Sequence, residues 1–199
     1  MKLAAIVSTA RTPIGRAYKG AFNDLEAPTL AGFSIAETVR RAGIAADEVE
    51  DCIMGCSIQQ GTQTFNIGRL AALAAGLPVT VAGMSIDRQC SSGLMAIATA
   101  SRQVAYDGMQ VIVAGGVESI SLAQTPAMNI SRVPDPRLFA RHPAIHMPML
   151  DTAEIVANRY GISREAQDLY ALSSQQRTAA GIAAGKFDDE IVAVTCEML

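Results

Sequence analysis

The chain has 199 residues, half of them hydrophobic, a formal net charge of −3 and a pI near 5.4. That length suits one or two domains with a buried core. Lysine and arginine are scattered singly, which leaves no footprint for nucleic acid, and no apolar run approaches the roughly 20 residues of a membrane span.

Leu3–Ser8 has strand character and runs into a loop at Arg11-Thr12-Pro13-Ile14-Gly15. From Pro28 to Arg41 the apolar Leu30, Phe33, Ala36 and Val39 recur every three residues before Gly43, which predicts an amphipathic helix. Strands are expected over Val49–Ile58 and Val79–Asp87, separated by a small-residue helix over Ile67–Ala75. A further helix, Ser91–Tyr106, has small or apolar residues around most of its circumference and is expected to be buried between layers. Val111–Ala114 is an unbroken apolar strand. Strands alternating with helices imply an α/β fold with a mostly parallel sheet and right-handed crossovers.

Residues 120–150 carry five prolines and both histidines without a clear period, and read as a long loop excursion. Helices follow over Thr152–Tyr160 and Arg164–Ala184, the second with Ser163 as N-cap, and Glu190–Thr195 is a last expected strand. The division is 1–119 for the first part of an α/β lobe, 120–185 for the excursion with its helices, and 186–199 for the start of a return strand.

With no secretory signal expected at Met1-Lys2-Leu3, the four cysteines argue for free thiols in a cytoplasmic protein rather than a disulfide framework. Cys90 stands at the junction between the strand ending at Asp87 and the helix beginning near Ser91. Helix N-terminal N–H groups and the macrodipole stabilise a thiolate at such a place. Ser91, Ser92 and Gly93 keep bulk away from the sulfur and from nearby backbone donors, and Arg88 adds a positive charge. The same pattern also fits an inert buried cysteine at a helix start. Cys52 and Cys56 share a strand, where i and i+4 lie about 13 Å apart, too far for one disulfide or one ion; buried packing is expected, and no metal site. His142 and His146 lack framing ligands and read as surface loop residues. Gly115-Gly116 lacks the surroundings of a phosphate loop and reads as a close backbone approach to the active site. Glu118 is expected to hold the Gly115-Gly116 turn through its carboxylate.

Asp87-Arg88-Gln89-Cys90-Ser91-Ser92-Gly93-Leu94 and Ala114-Gly115-Gly116-Val117-Glu118-Ser119 together resemble the paired signature of the thiolase family. Arg11-Thr12-Pro13-Ile14-Gly15, Thr152-Ala153-Glu154, Gly161-Ile162-Ser163-Arg164-Glu165 and Gln167-Asp168 extend the likeness across nearly the whole chain. The resemblance implies a thiolase-like N-terminal lobe, a mixed and mostly parallel sheet with helices on both faces and a buried helix after the nucleophile, plus part of a helical loop domain on the CoA and tetramer side. It implies an acyl-CoA C-acyltransferase in which Cys90 carries the acyl group as a thioester and its backbone N–H serves the oxyanion.

Coenzyme A thioesters are then the substrates, with no permanently bound cofactor, and the partner is a further copy or a complementary C-terminal thiolase half. The Gly-His-Pro, Asn-Glu-type and Cys-x-Gly-Gly-Gly motifs of complete thiolases do not occur. A non-catalytic fragment that binds CoA or a partner subunit is therefore the alternative. Where short-chain thiolases have His-Met-Gly, this chain has Pro148-Met149-Leu150; Met149 is placed either in the acyl pocket or in a core.

Overall fold

The computed structural model describes residues 3–196, so the outer ends of the expected divisions 1–119 and 186–199, residues 1–2 and 197–199, lie outside the described residues. The chain divides into two compact units, residues 1–128 with 190–199, and residues 129–189.

The first unit is built on a three-stranded parallel sheet, β1 (Asp51–Gly55), β2 (Ala82–Ile86) and β3 (Ile112–Gly116), in the order β2-β1-β3. Every residue of the central β1 is buried, as a strand covered on both faces requires. Alternation sorts its side chains. Cys52 and Met54 enter a cluster with Ala31, Ile35 and Val39 of α1 (Ala27–Ala42) and Ile67, Ala71 and Ala72 of α2 (Ile67–Ala74). Ile53 points the other way, onto Ala96 and Ala100 of α3 (Ser92–Arg102). Helices therefore flank both faces.

Local chemistry explains the helix ends. Pro28 opens α1, where a missing N–H costs nothing, and Gly43 closes it at φ 68°, a conformation that favours glycine. The Asn66 side chain accepts from the Arg69 N–H at 3.2 Å and caps α2. After α3 the chain makes one π turn, Gln103–Asp107. The helix is covered on one side only: Ser92, Ala96 and Ala100 are buried, whereas Leu94 is 70% exposed. The expected cover between two layers is thus a single layer in this chain.

Leu3–Ser8 forms no ladder, and Leu3, Ile6 and Val7 are exposed. Strand character needs a partner's N–H and C=O row to become a strand. The expected return strand is reduced to one parallel bridge between Arg11 and Ile191, in which the Arg11 N–H donates to Glu190 O at 2.9 Å and the Val192 N–H to Arg11 O at 2.8 Å. The excursion also contains more helix than its prolines suggest: α4 (Ile120–Ala123) in the first unit and α5 (Pro136–Arg141) in the second.

The second unit consists of α5, α6 (Met149–Tyr160) and α7 (Arg164–Ala183). Ser163 caps α7 by accepting from the Ala166 N–H at 3.1 Å. Burial here is slight. Ala157 and Gly181 are the buried helix residues, and a Cβ on Gly181 would meet the Phe187 ring at 3.1 Å.

Candidate active site

The carboxyl ends of parallel strands are where open α/β sheets place their chemistry. Here three such ends meet. β1 runs into Cys56-Ser57, β2 into Asp87-Arg88-Gln89-Cys90, and β3 into Val117-Glu118. Two hydrogen bonds fasten them beyond the ladder: Cys56 N–H to Ile86 O at 2.9 Å, and Val117 N–H to Gly55 O at 3.0 Å.

Cys90 occupies a 3-10 turn, Gln89–Ser91, that leads directly into α3, and it is exposed. Cys90 is thus not a buried cysteine in this chain. A short polar knot shapes the turn. The Ser92 hydroxyl accepts from the Arg88 N–H at 2.9 Å and donates to Gln89 O at 2.6 Å, while the Gln89 N–H donates to Asp87 Oδ1 at 2.8 Å. Gln89 sits at φ 48°, a left-handed conformation uncommon for a non-glycine residue. The first N–H groups of a helix have no intrahelical acceptor. The Cys90 N–H has none among the described residues, and it lies beside the sulfur.

Glycines bring α3 onto the strand ends. The backbone of Gly55 lies against the Ser92–Gly93 peptide, and a Cβ at Gly116 would stand 3.1 Å from Gly55 O and 3.4 Å from the Gly93 Cα. Of the Gly115-Gly116 pair, Gly116 is thus the place of close backbone approach, next to the start of α3, whereas a Cβ at Gly115 would meet only the Met54 side chain, at 3.8 Å.

Glu118 gathers the loop after β1. Its Oε2 accepts from the Ser57 N–H at 2.9 Å and the Ser57 O–H at 2.6 Å, and its Oε1 from Gln63 Nε2 at 2.7 Å and the Ile58 N–H at 3.3 Å. Burial acts to raise the pKa of this carboxyl, but the bonds from Ser57, Gln63 and Ile58 outweigh it and hold the value below the ordinary one. Gln63 was not singled out from the sequence. It is fully buried, and its amide oxygen accepts from the Ser119 N–H. Nothing local marks it, because its partner stands 55 positions away.

The other cysteines differ in kind. Cys52 and Cys56 are buried, and desolvation pushes both thiols up to about 12, with Asp51 adding to the shift at Cys52 and Glu118 at Cys56. Cys196 is half-buried, its thiol donating to Ala21 O at 3.3 Å. Among the described residues no group of three or more His, Cys, Asp or Glu could hold a metal ion. Likewise no described helix is long and apolar enough to cross a membrane. A cavity of about 330 Å³ lies between the Arg11–Ala17 loop, α1 and the turn after β3, and Cys90 is not in its lining.

Met149 opens α6 in the second unit and is 73% exposed, so it fills no core in this chain. His142 and His146 belong to the same unit and are exposed as well. The first unit therefore carries Cys90 and no histidine.

Fold and site together define an α/β protein that presents a cysteine thiol and an open backbone N–H at the carboxyl end of a parallel sheet. Residues 4–198 match the family model described as "Thiolase, N-terminal domain". The 3-ketoacyl-CoA thiolase of Bacillus subtilis is 42% identical over 194 residues, covering 98% of this chain and 49% of that protein. The acetyl-CoA acetyltransferase of Cupriavidus necator is 37% identical, covering 95% and 50% respectively. The crystal structure of the Bacillus anthracis acetyl-CoA acetyltransferase superposes with a TM-score of 0.83 at 36% identity, covering 98% of this chain and 51% of that one. The chain belongs to the thiolase family, and it spans about half the length of the curated relatives it matches.

Proposed function

We propose that this chain supplies the nucleophile-bearing half of an acyl-CoA C-acyltransferase. The observation that carries the reading is the exposed Cys90 in the turn that leads into α3, with no hydrogen-bond acceptor for its N–H among the described residues. In the first half-reaction the Cys90 thiolate attacks the carbonyl carbon of an acyl-CoA or 3-ketoacyl-CoA. Negative charge develops on the carbonyl oxygen, where the Cys90 N–H is placed to donate; a lost donor of this kind costs about 3–4 kcal/mol of barrier in other acyl transferases. The C–S bond to CoA, or the C–C bond of a 3-ketoacyl chain, then breaks, leaving the acyl group on Cys90. The departing CoA thiolate or acetyl-CoA carbanion takes up a proton. In the second half-reaction CoA or the α-carbon of acetyl-CoA removes the acyl group.

The groups that move these protons are assigned to a complementary C-terminal thiolase half or to the whole protein of which this is a part. Support comes from the first unit, which brings no histidine to Cys90, and from relatives twice as long as this chain. The exposed Leu94 side of α3 is the surface such a half would cover. CoA thioesters are the substrates, no cofactor stays bound, and Met149 is assigned to the acyl pocket of the assembled site.

The test is acylation followed by mass spectrometry. The chain is incubated with acetyl-CoA and with a 3-ketoacyl-CoA, alone and with a C-terminal half taken from a relative. A stoichiometric acyl adduct on the Cys90 peptide, with thiolysis appearing only in the mixture, is expected. No adduct under either condition would leave a CoA-binding or subunit-binding fragment in its place.

A further inference from the structure

We propose that Glu118 is a positioning residue for the Cys90 turn, its carboxylate locking the loop after β1 and the turn after β3 into the seat on which the first turn of α3 rests. The inference rests on the reading of Cys90 as the nucleophile, but its mechanical content stands on geometry alone.

Four donors converge on Glu118, the Ser57 N–H and O–H, the Ile58 N–H and Gln63 Nε2, and the Cys56 thiol adds a fifth, weak one at 3.7 Å. An ionised carboxylate is acceptor-only with about four lone-pair sites, so it suits this set; an amide turns one of its two ends into a donor. Among the described residues no lysine or arginine pairs with Glu118. Its charge is satisfied by hydrogen bonds alone.

Gln63 closes the circuit. It donates to Glu118 and to Ile58 O, at 2.7 and 2.5 Å, and accepts from the Ser119 N–H. Residues 57–58, 63 and 118–119 therefore form one polar knot at the ends of β1 and β3. The step from knot to nucleophile runs through backbone. Val117 donates to Gly55 O, Gly55 abuts the Ser92–Gly93 peptide, and Gly116 abuts the Gly93 Cα. With no side chains between these glycines, a displacement of either strand end passes directly to the start of α3. Glu118 has no hydrogen bond to Cys90 and acts through these contacts.

The experiment uses the 199-residue chain as wild type, Glu118→Gln and Ser57→Ala, each held well below its unfolding temperature. Two readouts are taken: hydrogen exchange of the Ser91–Ile97 amides by mass spectrometry, and the ratio of Cys90 to Cys196 alkylation rates from digested peptides. In Glu118→Gln the exchange rises at least tenfold at these amides, while the α7 amides keep their wild-type rates. The alkylation ratio changes at least threefold, because the turn that sets the exposure and surroundings of the sulfur is no longer fixed. Ser57→Ala, which loses one of the four strong donors, shifts both readouts the same way by less.

A residue that only stabilises the fold lowers the unfolding temperature and leaves both readouts of the folded chain unchanged, and that result overturns the proposal. Should Glu118→Gln not fold, unchanged readouts in Ser57→Ala overturn it equally. Failure of the wild-type chain to accept an acyl group from acyl-CoA removes the nucleophile reading instead and leaves the exchange result standing.

Discussion

Replacing Gly55 by alanine loads the contact on which the site is built. A Cβ at this position falls on the Ser92–Gly93 peptide, short of ordinary carbon–carbon separation by about 1 Å. The obstacle is backbone at the first turn of α3, so no rotamer change relieves it; either the helix start or the end of β1 has to move. Overpacking of this kind costs about 1–3 kcal/mol, and a backbone obstacle places the cost near the upper end. For a domain of this size about 3 kcal/mol lowers the melting temperature by roughly 10 °C.

Gly115 supplies the control, because it too lies at a strand end but a Cβ there meets nothing closer than Met54 Sδ at 3.8 Å. Gly115→Ala is expected to change stability by less than about 1 kcal/mol, with Gly116→Ala between the two. Thermal unfolding by circular dichroism at pH 7 reads the series. A Gly55→Ala chain melting within about 2 °C of wild type, or a Gly115→Ala chain losing as much, refutes the idea that bare backbone seats the Cys90 helix.

Gln89 at φ 48° makes a second test of the same turn: Gln89→Val is expected to lose about 1–2 kcal/mol in urea unfolding, since β-branched residues avoid that region, and Gln89→Gly to lose nothing. At pH 8 a thiol with a pKa near 12 is ionised in about one part in 10⁴, so Cys52 and Cys56 should alkylate more than 100-fold more slowly than the exposed Cys90; labelling within tenfold of it would contradict their burial. Glu118 has its pKa lowered on folding, so its contribution to stability is complete above the unfolded value of about 4.3 and fades as pH falls through the lower folded value. The gap in melting temperature between wild type and Glu118→Gln should accordingly be wide at pH 6 and narrow toward pH 3, and a constant gap would show that the charge plays no part.

Much of the scaffold could be read from local signals. Pro28, Gly43 and the spacing of apolar residues between them mark α1, and Ser163 marks the start of α7, because capping and periodicity are short-range. The turn at Cys90 was legible for the same reason. Leu3–Ser8 misled because a strand is a property of a pair, and its apolar residues do not reveal whether a partner is present. In the excursion, Pro136 reads as a breaker, yet with Asp135 accepting from the Arg137 N–H before it, it stands in the opening turn of α5. The Glu118–Gln63–Ser119 knot was half visible: the carboxylate's role could be guessed from its place after two glycines, but its partners come from an irregular loop far back in the chain.

Cys90 is exposed and still held in place. Apolar packing, which fixes the core of the first unit, does not hold Cys90, since that side chain is exposed. The turn is held instead from below and from the side. Below it are the bare backbones of Gly55, Gly93 and Gly116; at its side are the Ser92 hydroxyl and the Asp87 carboxylate, each bonded to main-chain groups of the turn itself. Both devices leave the solvent side of Cys90 free. They also let the left-handed Gln89 persist, because its N–H and carbonyl are each tied within three residues. The order of the turn therefore comes from within the first unit, and the exposed Leu94 side of α3 contributes none of it.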